Sequence, residues 1–429
     1  MKGGAGWLPR GPCLVLAMLA AAPGPGAASM QDVSTTSREV AGIRTIHRST
    51  PGKDVVSVRL YLLGGAQQLT EETQGIEALL LYALDHRSRP GIEAAGGRPI
   101  VEIAQDWSVT GFQTLPEHFG EVWEAWAGGI AEPTLTRSDV GAAVASLTGE
   151  ARRRYSDPED LVRRGAWQSM FSGHPYSLDP LGTLRSLQGL GPADVDAYRR
   201  AHLVRSRMLL VVVGDVAPEE LARRVEAGLG TIPPGDYAWT PPPAVQLREN
   251  EWRVQERDLP TNYIQGYILG PPPGDPDYFA FEVATNLLSG KLFDEVRNVR
   301  SLSYAAHASF VESAVPTAAI YASSRDPARV YDLLIEQLEW IQTLARVPAW
   351  VMNRYLEGFT LDNLAQNLTA DGQAAALGRA EILFGDHRVA DSYLDGIGRV
   401  RPQDIRRVAI EYMRSMQLAY LGDVDRLTR

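Results

Sequence analysis

Apolar residues recur along this chain with two periods. Val56, Val58, Leu60 and Leu62 alternate along a strand, and the run ends at Gly64-Gly65. An apolar helix is expected next, over Gly75–Leu84. Further on, Phe119, Val122, Trp123, Trp126 and Ile130 recur at helical spacing. Asp326-Pro327 supplies a capping carboxylate and a first-turn proline ahead of Val330, Leu333, Leu334, Leu338 and Ile341. The tryptophans within these stripes read as core residues rather than ligand platforms.

The same order of elements is written twice. Gly191-Pro-Ala-Asp-Val195 opens a helix that leads to the buried strand Met208–Val213 and then Gly214-Asp215-Val216. Arg401-Pro-Gln-Asp-Ile405 opens another, leading to the strand Gln417–Leu421 and then Gly422-Asp423-Val424, about 208 residues later. The starts of the halves agree as well. The strand Asn262–Leu269 ends in Gly270, followed by a helix over Tyr278–Leu288, and from Gly64 to Gly270 the offset is about 206 residues. Four elements repeated in one order indicate duplication. Between the copies, Ile232-Pro-Pro-Gly and Thr240-Pro-Pro-Pro243 form a stiff, extended link. The expected organisation is a signal segment at 1–29, an N-terminal lobe at 30–230, a linker at 231–250 and a C-terminal lobe at 251–429. The fold class is α+β, two duplicated lobes of strands and longer helices.

Composition narrows the function classes. A chain of 429 residues with 45% hydrophobic and 22% charged content can bury more than one core. Lys2 and Arg10 precede an apolar run, Cys13–Ala22, followed by small residues around Pro23–Ser29. That order predicts a secretory signal cleaved near Ala28 or Ser29, and a periplasmic or secreted protein. Loss of that segment takes the only cysteine, Cys13, and two positive charges, moving the formal net charge from −10 to −12. The exported chain is then expected to have no disulfide and no cysteine ligand or nucleophile. Acidic charge without a basic stripe argues against nucleic-acid binding. No later run is long and apolar enough for a membrane helix.

Short motifs add a specific likeness. Gly64-Gly65-Ala66 precedes Gly75-Ile-Glu-Ala-Leu-Leu-Leu-Tyr-Ala-Leu84; then come Asp157-Pro158, His174-Pro175-Tyr176, Gly182 and the strand end Val212–Asp215. The second half carries Lys291-Leu292-Phe293, Arg297 and Ser301-Leu302-Ser303-Tyr304. In this order and spacing the chain resembles the pitrilysin/insulinase-type zinc peptidases over essentially its whole exported length. The resemblance implies two lobes, each a mainly antiparallel sheet covered by helices.

It also implies a lost metal site. Active relatives carry HxxEH on a helix, where two imidazoles one turn apart hold Zn²⁺ and the glutamate activates water. The matching positions here are Ala78, Leu81 and Tyr82. Ala and Leu offer no lone pair, and a phenol keeps its proton near neutral pH. Glu150 matches the third ligand of the family; it reads either as a relic ligand or as a solvated glutamate ahead of Arg152–Arg154. A displaced site is the alternative, since Tyr82, Asp85 and His86 form YxxDH one turn later, though a third protein ligand would be needed. His47, His118, His174, His202, His307 and His387 are scattered singly, and His174-Pro175-Tyr176 reads as a structural turn.

In the second half the resemblance carries over Arg297 and Tyr304 as substrate-binding and oxyanion-stabilising donors. A guanidinium fork and a neutral phenol suit that role. The competing reading puts Arg297 in an exposed run and Tyr304 in the packing of a strand. A glycine-rich stretch of the family is reduced here to Leu288-Ser289-Gly290. The expected function is a catalytically inactive subunit that binds no cofactor itself. Its partner would be an HxxEH subunit of the same fold carrying the zinc, and its substrate an extended peptide. A non-proteolytic scaffold or peptide-binding protein is the alternative, and an active hydrolase with a shifted metal site the third reading.

Overall fold

The computed structural model describes residues 33–131, 135–247, 252–343 and 349–427. The expected signal segment, with Cys13, and residues 248–250 of the expected linker lie outside the described residues. The first half builds a six-stranded sheet from β1 (Ser34–Val40), β2 (Ile43–Ser49), β3 (Val56–Leu63), β4 (Arg98–Ile103), β5 (Trp107–Thr114) and β6 (Met208–Gly214). Its order is β1-β2-β6-β3-β5-β4, and every neighbouring pair is antiparallel except β2 with β6. The second half builds a five-stranded sheet from β7 (Trp252–Glu256), β8 (Asn262–Leu269), β9 (Ala306–Val311), β10 (Thr317–Ser324) and β11 (Gln417–Gly422). Its order is β7-β11-β8-β10-β9, with only β7 and β11 parallel. Without β1 the two orders are the same, so the duplication extends to topology. β3 and β8 even have equal lengths of eight residues.

The helices of the first half are α1 (Ile76–Ala94), α2 (Phe119–Ala131), α3 (Arg137–Ser156), α4 (Pro158–Met170), α5 (Leu184–Gly189), α6 (Pro192–His202) and α7 (Pro218–Gly228). Those of the second are α8 (Tyr278–Leu292), α9 (Pro327–Thr343), α10 (Ala349–Asn367), α11 (Ala370–Phe384), α12 (Val389–Gly398) and α13 (Pro402–Tyr412). The stripe of α2 is buried as its spacing requires, and so is that of α9, where Asp326 accepts from the Arg329 amide at 3.2 Å. Two helices outrun their apolar pattern. α1 continues past Leu84 to Ala94, its polar last turns laced by Asp85–Arg89 and Arg89–Glu93 ion pairs. α8 continues past Leu288 to Leu292 and then into π-helical turns over Phe293–Val299.

Both sheets are buried on both faces. Met208, Leu210 and Val212 of β6 join Val58, Leu60 and Leu62 in a core under α1 and α2. Leu209, Val211 and Val213 point the other way, onto Ala374, Leu377 and Ile382 of α11, a helix of the second half. The second sheet mirrors this. Leu418 and Tyr420 face the helices of their own half, whereas Ala419, Leu421 and Tyr267 pack on Val162, Ala166 and Met170 of α4, from the first half. Each half therefore lends one helix to the back of the other's sheet. Gly378 makes this seat possible for α11, because a Cβ there would lie 2.3 Å from the Tyr61 ring. Ion pairs lock the arrangement: Arg59 of β3 reaches Asp371 at 2.8 Å, and Arg48 of β2 reaches Asp391 at 2.6 Å.

Candidate active-site region

The helix that aligns with the metal motif starts at a fixed point. Gly75 caps α1 with φ of 85°, a left-handed conformation that disfavours side chains, and a Cβ there would lie 2.7 Å from Gly182 Cα. These two glycines let the start of α1 press against the loop before α5. Ala78 and Leu81 then fall inside the first core with no exposed surface to speak of. Neither carries an atom able to ligate a cation. Tyr82 is half-buried, and burial pushes its phenol up, reinforced by the negative charges of Glu150 and Asp85. The proton is thus held more tightly than in a free tyrosine, the reverse of what a phenolate ligand needs. Glu150, half-buried on α3, acts on Tyr82 across the packed pair α1 and α3.

The displaced donor set does not assemble. Asp85 pairs with Arg89 at 2.7 Å, while His86 Nδ1 lies 3.1 Å from Asp139, the carboxylate that completes the capping box of α3. Asp85 and His86 are thus engaged separately. Among the described residues no group of three His, Cys, Asp or Glu side chains is placed to hold a metal ion. The residues present do not fit the zinc of active relatives. His174 takes a structural place: its Nδ1 accepts from the Tyr176 amide and its Nε2 lies 2.9 Å from the Pro243 carbonyl. The Tyr176 hydroxyl in turn donates to buried Asp106, whose second oxygen accepts from the Ala314 amide at 2.9 Å, a polar tie between the halves.

One residue of this helix escaped the sequence reading. Glu77, beside Ala78, is buried and pairs with Arg207 at 2.9 Å, and Tyr198 donates to the same oxygen at 2.8 Å. Arg207 also donates to the Leu63 and His202 carbonyls at 2.8 and 3.0 Å. The Glu77 carboxylate therefore anchors the helix to α6 and, through Arg207, to the end of β3. No local pattern announces a partner 130 residues away.

In the second half, Arg297 sits on the π-helical turns that extend α8, with its guanidinium 4.8 Å from the Phe293 ring and 6.0 Å from the Tyr304 ring. Tyr304 is 88% exposed, ahead of the first residue of β9. The reading of Tyr304 as a packed strand residue is thus corrected: the strand begins two residues later, and the phenol stands in solvent beside Arg297. The structure brings these two donors together on one surface, free of any core.

Comparison with known proteins places this arrangement. The pattern described as "Peptidase M16 inactive domain" matches residues 190–359, from the turn before α6 into α10. The chain is related to the M16 peptidases. An uncharacterized zinc protease of Mycobacterium tuberculosis is 22% identical over 391 residues, covering 86% of this chain and 88% of the relative. The mitochondrial-processing peptidase subunit beta of Blastocladiella emersonii is 22% identical over 273 residues, 62% of this chain and 58% of the relative. The crystal structure of a protease from Helicobacter pylori superimposes with a TM-score of 0.82 at 15% identity, covering 91% of this chain and 99% of that one. The fold, two sheets rich in antiparallel pairs and clad in helices, is thus shared with that protease. No helix among the described residues is long and apolar enough to cross a membrane.

Proposed function

We propose that this chain is the non-catalytic member of a two-subunit M16 peptidase. The observation that carries the reading is a contrast within one molecule. The first histidine and the glutamate positions of HxxEH are sealed in core as Ala78 and Leu81, with Tyr82 half-buried at the third, while Arg297 and Tyr304 stand together and exposed in the other half. In this reading an HxxEH partner of the same fold holds the zinc, and this chain binds no cofactor. Arg297 offers a charged fork and Tyr304 a neutral hydroxyl to the backbone carbonyls of an extended peptide, the kind of donors that stabilise developing oxyanion charge. The charged, apolar and small-residue order of the first 29 residues supports export, so the pair would work in the periplasm or outside the cell.

The test is a reconstitution. The chain alone should leave a quenched peptide intact, and mixing with an HxxEH partner should generate cleavage. Arg297→Ala should lower kcat of the mixture about 10²–10³-fold while the complex still forms. Full activity of that variant would refute the role of Arg297. A complex that forms without ever cutting would instead favour a peptide-binding scaffold.

A further inference from the structure

A cavity of about 390 Å³ opens in the second half between α8, β9, α10, α11 and α12. Its place is informative. By the matched topology α8 corresponds to α1, β9 to the edge strand β4 and α10 to α3, so this is the second half's counterpart of the face where Tyr82 meets Glu150. In the first half α1 and α3 pack closely; in the second α8 and α10 barely touch, and the cavity fills the gap. Glu282 of α8 lines it and is only 7% exposed. One carboxyl oxygen accepts from the Tyr393 hydroxyl, and the other, Oε2, is buried with no hydrogen-bond partner. An unsatisfied buried carboxyl oxygen is costly unless something answers it.

The rest of the lining indicates what would answer it. Among the described residues the charged groups are Glu282, Glu312 and Asp362 against the single guanidinium of Arg379, and Arg379 is paired with Glu312 at 2.9 Å. Phe310, Phe359, Phe384 and Tyr393 supply aromatic surface. Carboxylates in excess with aromatic walls suit an organic cation, which gains from both. A volume of this size accommodates the head and alkyl stem of one basic side chain. We propose that the cavity binds the guanidinium or ammonium head of a basic peptide side chain, with Glu282 as its counter-charge. The site is distinct from Arg297 and Tyr304 and does not rest on the pairing with a zinc subunit.

Burial holds the Glu282 carboxyl up at about 8, opposed by the Tyr393 hydrogen bond and aided by the charge of Glu312. The groups facing it are Tyr278 on its own helix, Glu312 after β9, Asp362 on α10, Arg379 on α11 and Tyr393 on α12. At pH 7 the acid is mostly protonated, so a cation must displace that proton. Affinity should therefore rise with pH, about tenfold between pH 7 and pH 9, for a ligand that stays charged throughout.

The experiment is titration calorimetry on the full chain with a blocked tripeptide, acetyl-Ala-Arg-Ala-amide, its citrulline analogue, and agmatine. The arginine peptide should bind, release close to one proton at pH 7 in paired buffers of different ionisation heat, and release almost none at pH 9. Citrulline, which keeps the shape without the charge, should bind at least tenfold more weakly. Glu282→Gln should weaken the arginine peptide at least tenfold and abolish proton release, with its unfolding transition confirming that it folds. Agmatine binding as tightly as the peptide would support the site and assign it to a free amine. Equal affinity for arginine and citrulline, or an unchanged Glu282→Gln variant, would overturn the proposal.

Discussion

Removing the charge of Glu77 tests how α1 is held. In Glu77→Gln the side chain keeps its shape and its capacity to accept from Tyr198, but Arg207 loses its counter-ion. The side chains of Arg207 and Glu77 are only 1% and 4% exposed, so water cannot take the carboxylate's place. Breaking a buried pair from one side costs about 3–5 kcal/mol. Arg207 still donates to the Leu63 and His202 carbonyls, which places the expected loss near the lower end, about 3 kcal/mol. Urea unfolding at pH 7, followed through the buried Trp123 and Trp126, measures it. The double variant Glu77→Leu with Arg207→Met leaves no unpaired buried charge, but it strips the Tyr198 hydroxyl and the Leu63 and His202 carbonyls of a partner, so it should return only part of that stability. A loss below about 1 kcal/mol in Glu77→Gln would refute the claim that this pair anchors the helix.

Two further variants probe other parts of the fold. Gly378→Ala puts a methyl 2.3 Å from the Tyr61 ring and should destabilise the protein by about 1–3 kcal/mol in thermal unfolding, with Tyr61→Val partly restoring it. His47 is held down to about 4, chiefly by burial and then by the charge of Arg38, with Glu219 opposing. Its folded value lies below the unfolded 6.5, so its contribution is full above pH 6.5 and lost as pH falls towards 4. The expected loss is about 3 kcal/mol, and His47→Gln should flatten the stability profile over that window.

What the sequence made legible was local. The alternation of β3, the stripes of α2 and α9, and the Gly-Asp-Val ends of β6 and β11 are each set within a few residues, and the structure keeps them. The exchange of Ala78, Leu81 and Tyr82 for metal ligands is local too, since one helical turn fixes which side chains share a face. Features made by distant packing stayed hidden. Nothing near Glu77 points to Arg207, and nothing in the apolar run of α8 indicates that Glu282 would be enclosed by α10, α11 and α12. The length of α1 was missed because its last turns are held by exposed ion pairs instead of an apolar stripe. Tyr304 carries no periodicity that separates an inward phenol from an outward one.

The exchange of helices between the halves bears on why both copies endure. Cut the chain between its copies and Leu209, Val211 and Val213 would meet water on one fragment, Tyr267 and Leu421 on the other. Neither piece is a self-sufficient unit, and a hinge swinging the halves wide apart would strip both surfaces at once. Neither half can thus be shed by deletion, since its neighbour's sheet would be left uncovered. Mutation is free to change side chains within such a molecule, but not to discard the scaffold that carries them.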